Sequence, residues 1–203
     1  MAQDIKLLKL ADQGIVAGRV YSWIGPWVSL GKFQKPEDVL ASSIPYVIRP
    51  TGGKAVLHGH DVTVGLAVPL AAIHCSSRDV KKAYRSVCRP LIEALNGCGM
   101  EASLAEDTEH LHRGDRTADC FAFNSANDIV DIYTGKKVCG CALLMTQSAL
   151  LIQASIPIGQ PLINPKFAIR GASDYAAPQW DLSGLAVHLD EVLRYNFSNV
   201  SAG

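Results

Sequence analysis

Three short stretches carry side chains whose types and spacing can do chemistry. The first, Arg49-Pro50-Thr51-Gly52-Gly53-Lys54-Ala55-Val56-Leu57-His58, sets two glycines between two cations. Pro50 fixes φ, while Gly52 and Gly53 permit backbone geometry and a close ligand approach that a Cβ blocks. Such a loop can turn backbone N–H groups toward a phosphate or carboxylate, with Arg49 and Lys54 adding positive charge. Spacing alone leaves an anion cradle and an ordinary tight turn both open. Neither a Walker P-loop nor a dinucleotide G-x-G-x-x-G is present.

The second stretch, Thr134-Gly135-Lys136-Lys137-Val138-Cys139-Gly140-Cys141-Ala142, reads as a hairpin turn followed by two lysines and a thiol-bearing strand. Strand alternation puts Lys137, Cys139 and Cys141 on one face, opposite Lys136, Val138 and Gly140. If that face is the inner one, Lys137 is a buried cation in need of an anionic partner, a role open to a ligand. Otherwise the lysines are a solvated strand start. Cys139 and Cys141 with His58 or His60 offer zinc-type ligands. The C-x-C spacing and the lack of a second pair argue against zinc, so small buried thiols and no metal are expected. The third stretch is Asp119-Cys120-Phe121. A single cysteine is ordinarily inert packing. Cys120 differs in following a polar loop, where exposure and a nearby lysine lower a thiol pKa into the reactive range.

The elements that must position these stretches follow from hydrophobic periodicity. Residues 2–17 predict a first helix leading to Gly18, then two short strands, Arg19–Ile24 and Trp27–Phe33, broken by Gly25-Pro26. Pro36-Glu37-Asp38 opens a short helix. Tyr46–Arg49 and Asp61–Val68 read as strands on either side of the glycine loop. A long helix runs from Ser76 or Ser77 to Gly97, with Val80, Tyr84, Val87, Leu91 and Leu95 on one face. Met100–Leu104 is a further strand, and Ala105–Asp119 a polar loop with His110 and His112 solvated. A meander of 128–133, 136–145 and 149–156 follows, then an amphipathic helix from about Ser183 and a frayed tail from Asn196. Strands and helices are interspersed rather than strictly alternating, which favours a mixed-sheet α/β or α+β domain over a Rossmann or barrel fold. Trp23, Trp27 and Tyr84 read as core or pocket lining.

Composition sets the bounds. With 203 residues a single domain is expected, large enough to bury a core without staples. Nineteen basic residues balance nineteen acidic ones, which excludes a basic sheath for nucleic acid. Six cysteines form no disulfide framework, and Asp4, Lys6 and Lys9 interrupt what a secretory leader would keep apolar. The longest apolar run, Val64 to Ile73, is about half a membrane span. These features predict a cytoplasmic chain with reduced thiols and no membrane or nucleic-acid partner.

In order along the chain, W-x-x-x-W-V-S-L-G-K-F-Q (Trp23 to Gln34), the glycine stretch from Arg49 to His58, D-C-F (Asp119 to Phe121) and G-K-K-V-C-G-C-A (Gly135 to Ala142) resemble the lipoate/octanoate attachment family. These are lipoate–protein ligases and octanoyltransferases, related in fold to biotin protein ligase. The match runs from Met1 to about Ile156, and the glycine and lysine motifs are specific together. The resemblance implies an α/β domain of α+β type, a mixed central sheet flanked by helices, akin to biotin/lipoate ligase and class II aminoacyl-tRNA synthetase catalytic domains. It implies that residues 1–203 are one catalytic domain, with no room for the C-terminal domain of many ATP-dependent ligases. Lys137 falls on the family's lysine, which holds the acyl carbonyl or acyl-adenylate phosphate. Cys120 falls on the nucleophile of the cysteine-dependent octanoyltransferases. Arg49, Thr51, Gly52, Gly53, Lys54 and His58 match the substrate loop, with Gly140 and Ala142 on the facing strand.

The family pattern is broken at Ile48, where an Arg is expected, at Gly59 (Asp), at Leu143 (Gln) and at Gln153-Ala154-Ser155 (His-Gly-Ser). The leading expectation is transfer of an octanoyl or lipoyl group through a Cys120 thioester to a lysine of a lipoyl domain, such as an E2 subunit of a 2-oxoacid dehydrogenase or the glycine cleavage H protein. Acyl carrier protein is the expected donor, and no cofactor is needed. The alternatives are a ligase using ATP and Mg²⁺ to form a lipoyl-adenylate, and a non-catalytic module that binds lipoyl or acyl groups.

Overall fold

A computed structural model describes residues 1–111, 117–172, 180 and 182–197. His112 and the tail beyond Phe197 lie outside them. Helix α1 (Ala2–Asp12) leads into β1 (Ala17–Ser22) and β2 (Trp27–Leu30), followed by β3 (Tyr46–Ile48), β4 (Val56–His58) and β5 (Asp61–Pro69). Helix α2 (Val80–Gly97) precedes β6 (Ala102–Leu104), β7 (Ile129–Asp131), β8 (Lys137–Met145) and β9 (Ala149–Pro157). Two helices, α3 (Pro165–Ala168) and α4 (Leu185–Phe197), close the chain.

The strands form two sheets. Six make an entirely antiparallel sheet in the order β1-β5-β9-β8-β7-β6, and three make a small sheet in the order β3-β2-β4. The mixing expected of the central sheet sits in the small one, where β2 runs parallel to β3 and antiparallel to β4. Alternation along β5 explains the layering. Val62, Val64, Leu66 and Val68 point to a core shared with Val87, Leu91 and Leu95 of α2 and Leu185, Leu189 and Leu193 of α4. The alternate residues Thr63, Gly65 and Ala67 face the other way. There Leu8 and Ala11 of α1 cover Ala67 and Leu151, and the small sheet builds its own core from Val28, Leu30, Ala55 and Leu57 against Ala168 and Ile169. The site lies between the sheets.

Most elements fall where periodicity puts them, with ends shifted by up to five residues. The first helix stops at Asp12, five residues before the expected limit. Helix α2 starts at Val80 and runs through the buried Pro90, which costs it one backbone hydrogen bond. His110 is not solvated: its Nε2 lies 3.0 Å from the Ile132 carbonyl oxygen, and the ring packs against Gly135. Among the described residues no helix is long and apolar enough to cross a membrane.

Candidate active site

Arg49, at the end of β3, organises the glycine loop. It is 7% exposed, and each of its five N–H donors has a partner. Nη1 donates to the Ser29 carbonyl and hydroxyl oxygens at 3.0 and 2.8 Å. Nη2 donates to the carbonyl oxygens of Gly52 and Lys54 at 3.1 and 2.9 Å, and Nε to Thr51 Oγ1 at 3.4 Å. None of these acceptors is charged, and burial pulls the Arg49 pKa down from its usual value. The guanidinium therefore fixes the loop from within and presents no donor to a substrate anion. Arg49 still borders the cavity described below, but its donors are spent on the loop.

The loop's other contacts are equally local. Thr51 donates to Gln153 Oε1 at 2.8 Å, and Lys32 N–H donates to the Thr51 carbonyl at 2.9 Å. Gly31 is required here because a Cβ on it would stand 1.9 Å from the Gly53 carbonyl oxygen. The W-V-S-L-G-K-F-Q segment is thus the bed on which the glycine loop rests. Gly53 and Lys54 face the cavity described below, whereas Thr51 and Gly52 support it from behind.

His58 is buried at the end of β4, stacked on Trp23 with ring centroids 4.3 Å apart. Its Nε2 lies 2.6 Å from Ser29 Oγ and its Nδ1 2.7 Å from Asp61 Oδ2. The ring is thus held between the Asp61 carboxylate, which accepts from Nδ1, and the Ser29 hydroxyl, which also accepts from Arg49. Asp61 also accepts from Ser155 at 2.6 Å and Thr63 at 3.0 Å. Burial works to raise the Asp61 pKa, but the bonds from His58, Ser155 and the Gly59 amide outweigh it and hold the carboxyl below its ordinary value. The carboxylate missing at Gly59 is thereby supplied two residues later by Asp61, a substitution that sequence reading missed. Gly59 itself suits its place, since a Cβ there would meet the Gly25 carbonyl oxygen at 2.6 Å.

The Cys120 segment is tied to the glycine loop through main chain: Ala55 N–H donates to Ala118 O at 2.8 Å and Cys120 N–H to Ala55 O at 2.9 Å. The thiol passes over Gly140 of β8, where a Cβ would lie 3.1 Å from Cys120 Sγ. A side chain there would press the sulfur back by a few tenths of an ångström. Lys137 Nζ stands 3.9 Å from the same sulfur and donates to the Cys120 carbonyl. Its charge has a partner that sequence reading also missed, Asp128, 2.7 Å away; both side chains are 4% exposed. Desolvation pushes the Cys120 thiol pKa up, and the lowering effect of Lys137 is smaller. The expected reactive-range thiolate is therefore not preset: burial outweighs the lysine, and Asp128 opposes it.

The expected shared face of Lys137, Cys139 and Cys141 divides. The sulfurs of Cys139 and Cys141 meet at 3.6 Å, and Cys141 lies 3.9 Å from Cys88 of α2. Lys137 reaches instead to Cys120 and Asp128, beside a register shift in the β7–β8 pairing. Among the described residues no three metal-ligating side chains are grouped to hold an ion.

Two openings meet at Cys120. One is a narrow, mainly apolar pocket reaching from Cys120, Gly140 and Ala142 to Trp23 and Tyr21. The other is an open cleft lined by Lys54, Phe123, Asn124, Asp128 and Lys137. The pattern of the lipoyl protein ligase A/B catalytic domain matches residues 1–166. The chain belongs to that family.

Among lipoyl protein ligase A/B relatives, the octanoyltransferase LipM of Macrococcus caseolyticus is 32% identical over 169 residues, covering 77% of this chain and 60% of the relative. LipM of Carboxydothermus hydrogenoformans is 31% identical, covering 78% and 60%. The chain thus spans about three fifths of the length of these relatives. A lipoate-protein ligase A bound with ATP superposes with a TM-score of 0.71 at 18% identity, over 97% of this chain and 79% of that one. A T. acidophilum protein with bound lipoic acid gives 0.66 at 20% identity, over 95% and 81%. Both share the fold, an α+β domain with a large sheet flanked by helices.

Proposed function

We propose that the protein is an acyltransferase of protein lipoylation that carries an octanoyl or lipoyl group on Cys120. The observation that carries this reading is the placement of the Cys120 thiol at the junction of an apolar pocket and a cleft, 3.9 Å from the Lys137 ammonium. The pocket suits a medium-length acyl chain and the cleft a donor thioester, then an acceptor lysine. The LipM relatives support octanoyl as the group moved. In the first step the Cys120 sulfur attacks the thioester carbonyl; its bond to the acyl carbon forms as the donor's C–S bond breaks, and the donor thiol leaves with the proton that Cys120 gave up. In the second, the acceptor amine attacks the Cys120 thioester, an amide forms, and the proton lost by the amine restores the thiol. Lys137 stabilises the negative charge that develops at sulfur and carbonyl oxygen. Lys54 lines both openings.

The acceptor is a lysine of a lipoyl domain, consistent with a structural neighbour described with its E2 lipoyl domain, and acyl carrier protein is the donor. A cytoplasmic setting keeps Cys120 reduced. The adenylating reading fits this site less well, because Arg49, a cation it would aim at a phosphate, has its donors engaged by the loop. No cofactor is then required. The test is intact mass after incubation with octanoyl-carrier protein without ATP, for wild type and Cys120→Ala. An octanoyl adduct that vanishes with the cysteine is expected. An unmodified wild type, or an adduct formed only with octanoate and ATP, overturns the transferase.

A further inference from the structure

The strand register draws a line across the pocket floor. Tyr21 of β1 pairs with Thr63 of β5, Thr63 with Ser155 of β9, and Ser155 with Gly140 of β8. Directly paired antiparallel residues point to the same face, so these four form one row beneath the cavity, with Cys120 over its Gly140 end. Neighbouring strands lie about 4.8 Å apart, so the row spans about 14 Å. An extended eight-carbon acyl chain covers about 9 Å. A chain attached at Cys120 and laid along the row therefore passes over Gly140 and Ser155 and ends between Thr63 and Tyr21.

The polar groups of this floor are spent, with one exception. Ser155 donates to Asp61. Thr63 donates to Asp61 and accepts from Trp23 Nε1 at 2.9 Å. Gln153, in the neighbouring row, accepts from Thr51 and donates to Asp4. The Tyr21 hydroxyl is buried at the far end without a hydrogen-bond partner among the described residues. Its ring is held by the Arg19 guanidinium, 3.8 Å above it, and by Trp23 at 6.0 Å, so it cannot swing out without losing both contacts. Burial, and next the Asp4 carboxylate, push its pKa up, so at working pH it is a proton donor. A buried donor with nothing to bond costs stability unless a ligand answers it.

We propose that Tyr21 closes the far end of the acyl pocket and donates a hydrogen bond to the chain terminus, so that the site prefers an eight-carbon acyl group bearing an oxygen or sulfur acceptor there over a plain alkyl one. The proposal rests on the acyl-transfer reading for the direction of the chain. A pocket built to bond a polar group discriminates against the analogue lacking it, because its own donor is then stranded. Plain octanoyl leaves Tyr21 in that state, whereas a hydroxyl or, more weakly, a ring sulfur relieves it.

The test titrates free octanoate, 8-hydroxyoctanoate and lipoate into wild type and Tyr21→Phe, followed by calorimetry. Wild type is expected to bind 8-hydroxyoctanoate about tenfold more tightly than octanoate, with lipoate between them. Tyr21→Phe, which keeps the ring and its packing, is expected to erase or reverse that order. The same ratio in both proteins overturns the proposal, as does wild type binding none of the three acids. The Cys120 mass assay, run in parallel, separates the two readings. Selective binding without an adduct defeats acyl transfer and leaves the pocket assignment standing, while an adduct with an unchanged ratio defeats the pocket assignment alone.

Discussion

Two buried cations flank the site, and they are satisfied in opposite ways. Arg49 is surrounded by carbonyl and hydroxyl oxygens, whereas Lys137 is paired with the carboxylate of Asp128. Dipoles can hold a cation in place but do not cancel its charge; a carboxylate does both. The planar five-donor fork of Arg49 is thus used to shape a loop, a task Lys could not perform. Lys137 is a charge balanced within the protein by one carboxylate. The contrast teaches that two buried cations beside one glycine loop can do different work, one shaping the backbone and one balancing a carboxylate.

The largest expected effect separates shape from charge. Arg49→Met strands three buried carbonyls at once and should cost roughly 3–5 kcal/mol, with Arg49→Lys recovering little of it in chemical denaturation. If Arg49→Lys is as stable as wild type, the fork geometry is irrelevant and the contrast fails. Next, Lys137→Met leaves the Asp128 carboxylate buried without its counterion and should cost about 3 kcal/mol. Adding Asp128→Asn should restore most of that stability without restoring the octanoyl adduct. Recovery of both would reduce Lys137 to a structural residue. Gly31→Ala drives a Cβ into the Gly53 carbonyl, and a cost of about 2 kcal/mol with loss of octanoate binding is expected, read by melting and calorimetry.

Two smaller effects concern protons. Alkylation of Cys120 by iodoacetamide should rise with pH through a midpoint above the ordinary thiol value of 9.0, because burial raises it. Asp128→Asn, which removes a charge opposing the thiolate, should move that midpoint down. The smallest is acid stability. The depressed Asp61 pKa contributes stability that is present above its ordinary value of 3.8 and lost as pH falls through the lower folded value. Asp61→Asn should flatten that part of the stability–pH curve, and an unchanged curve would deny Asp61 its part in holding His58.

What the sequence made legible follows from how local each signal is. The face of α2 repeats every three to four residues, and Val87, Leu91 and Leu95 are buried as that period requires. The Gly52-Gly53 loop and Lys137 stood out because their residue types are unusual in their settings. Asp128 and Asp61 did not, since an acid beside a turn reads as solvated until a distant Lys or His closes on it. The partners of Arg49 were hidden for the same reason: most are backbone carbonyls, which no residue letter reveals. The division of Lys137 from Cys139 and Cys141 comes from a register shift, which period-two alternation does not encode. Tyr21 was invisible because its meaning lies in a row of four strands.

The main-chain tie between Ala55 and the Cys120 segment has a practical side. Because the peptide groups of residues 55, 118 and 120 make the attachment, the side chain at 120 is carried rather than gripped. Position 120 is therefore an interchangeable tool holder. A serine or a selenocysteine installed there would meet the same pocket at the same angle, so the identity of one atom, rather than a redesigned scaffold, would set the nucleophile that faces the pocket.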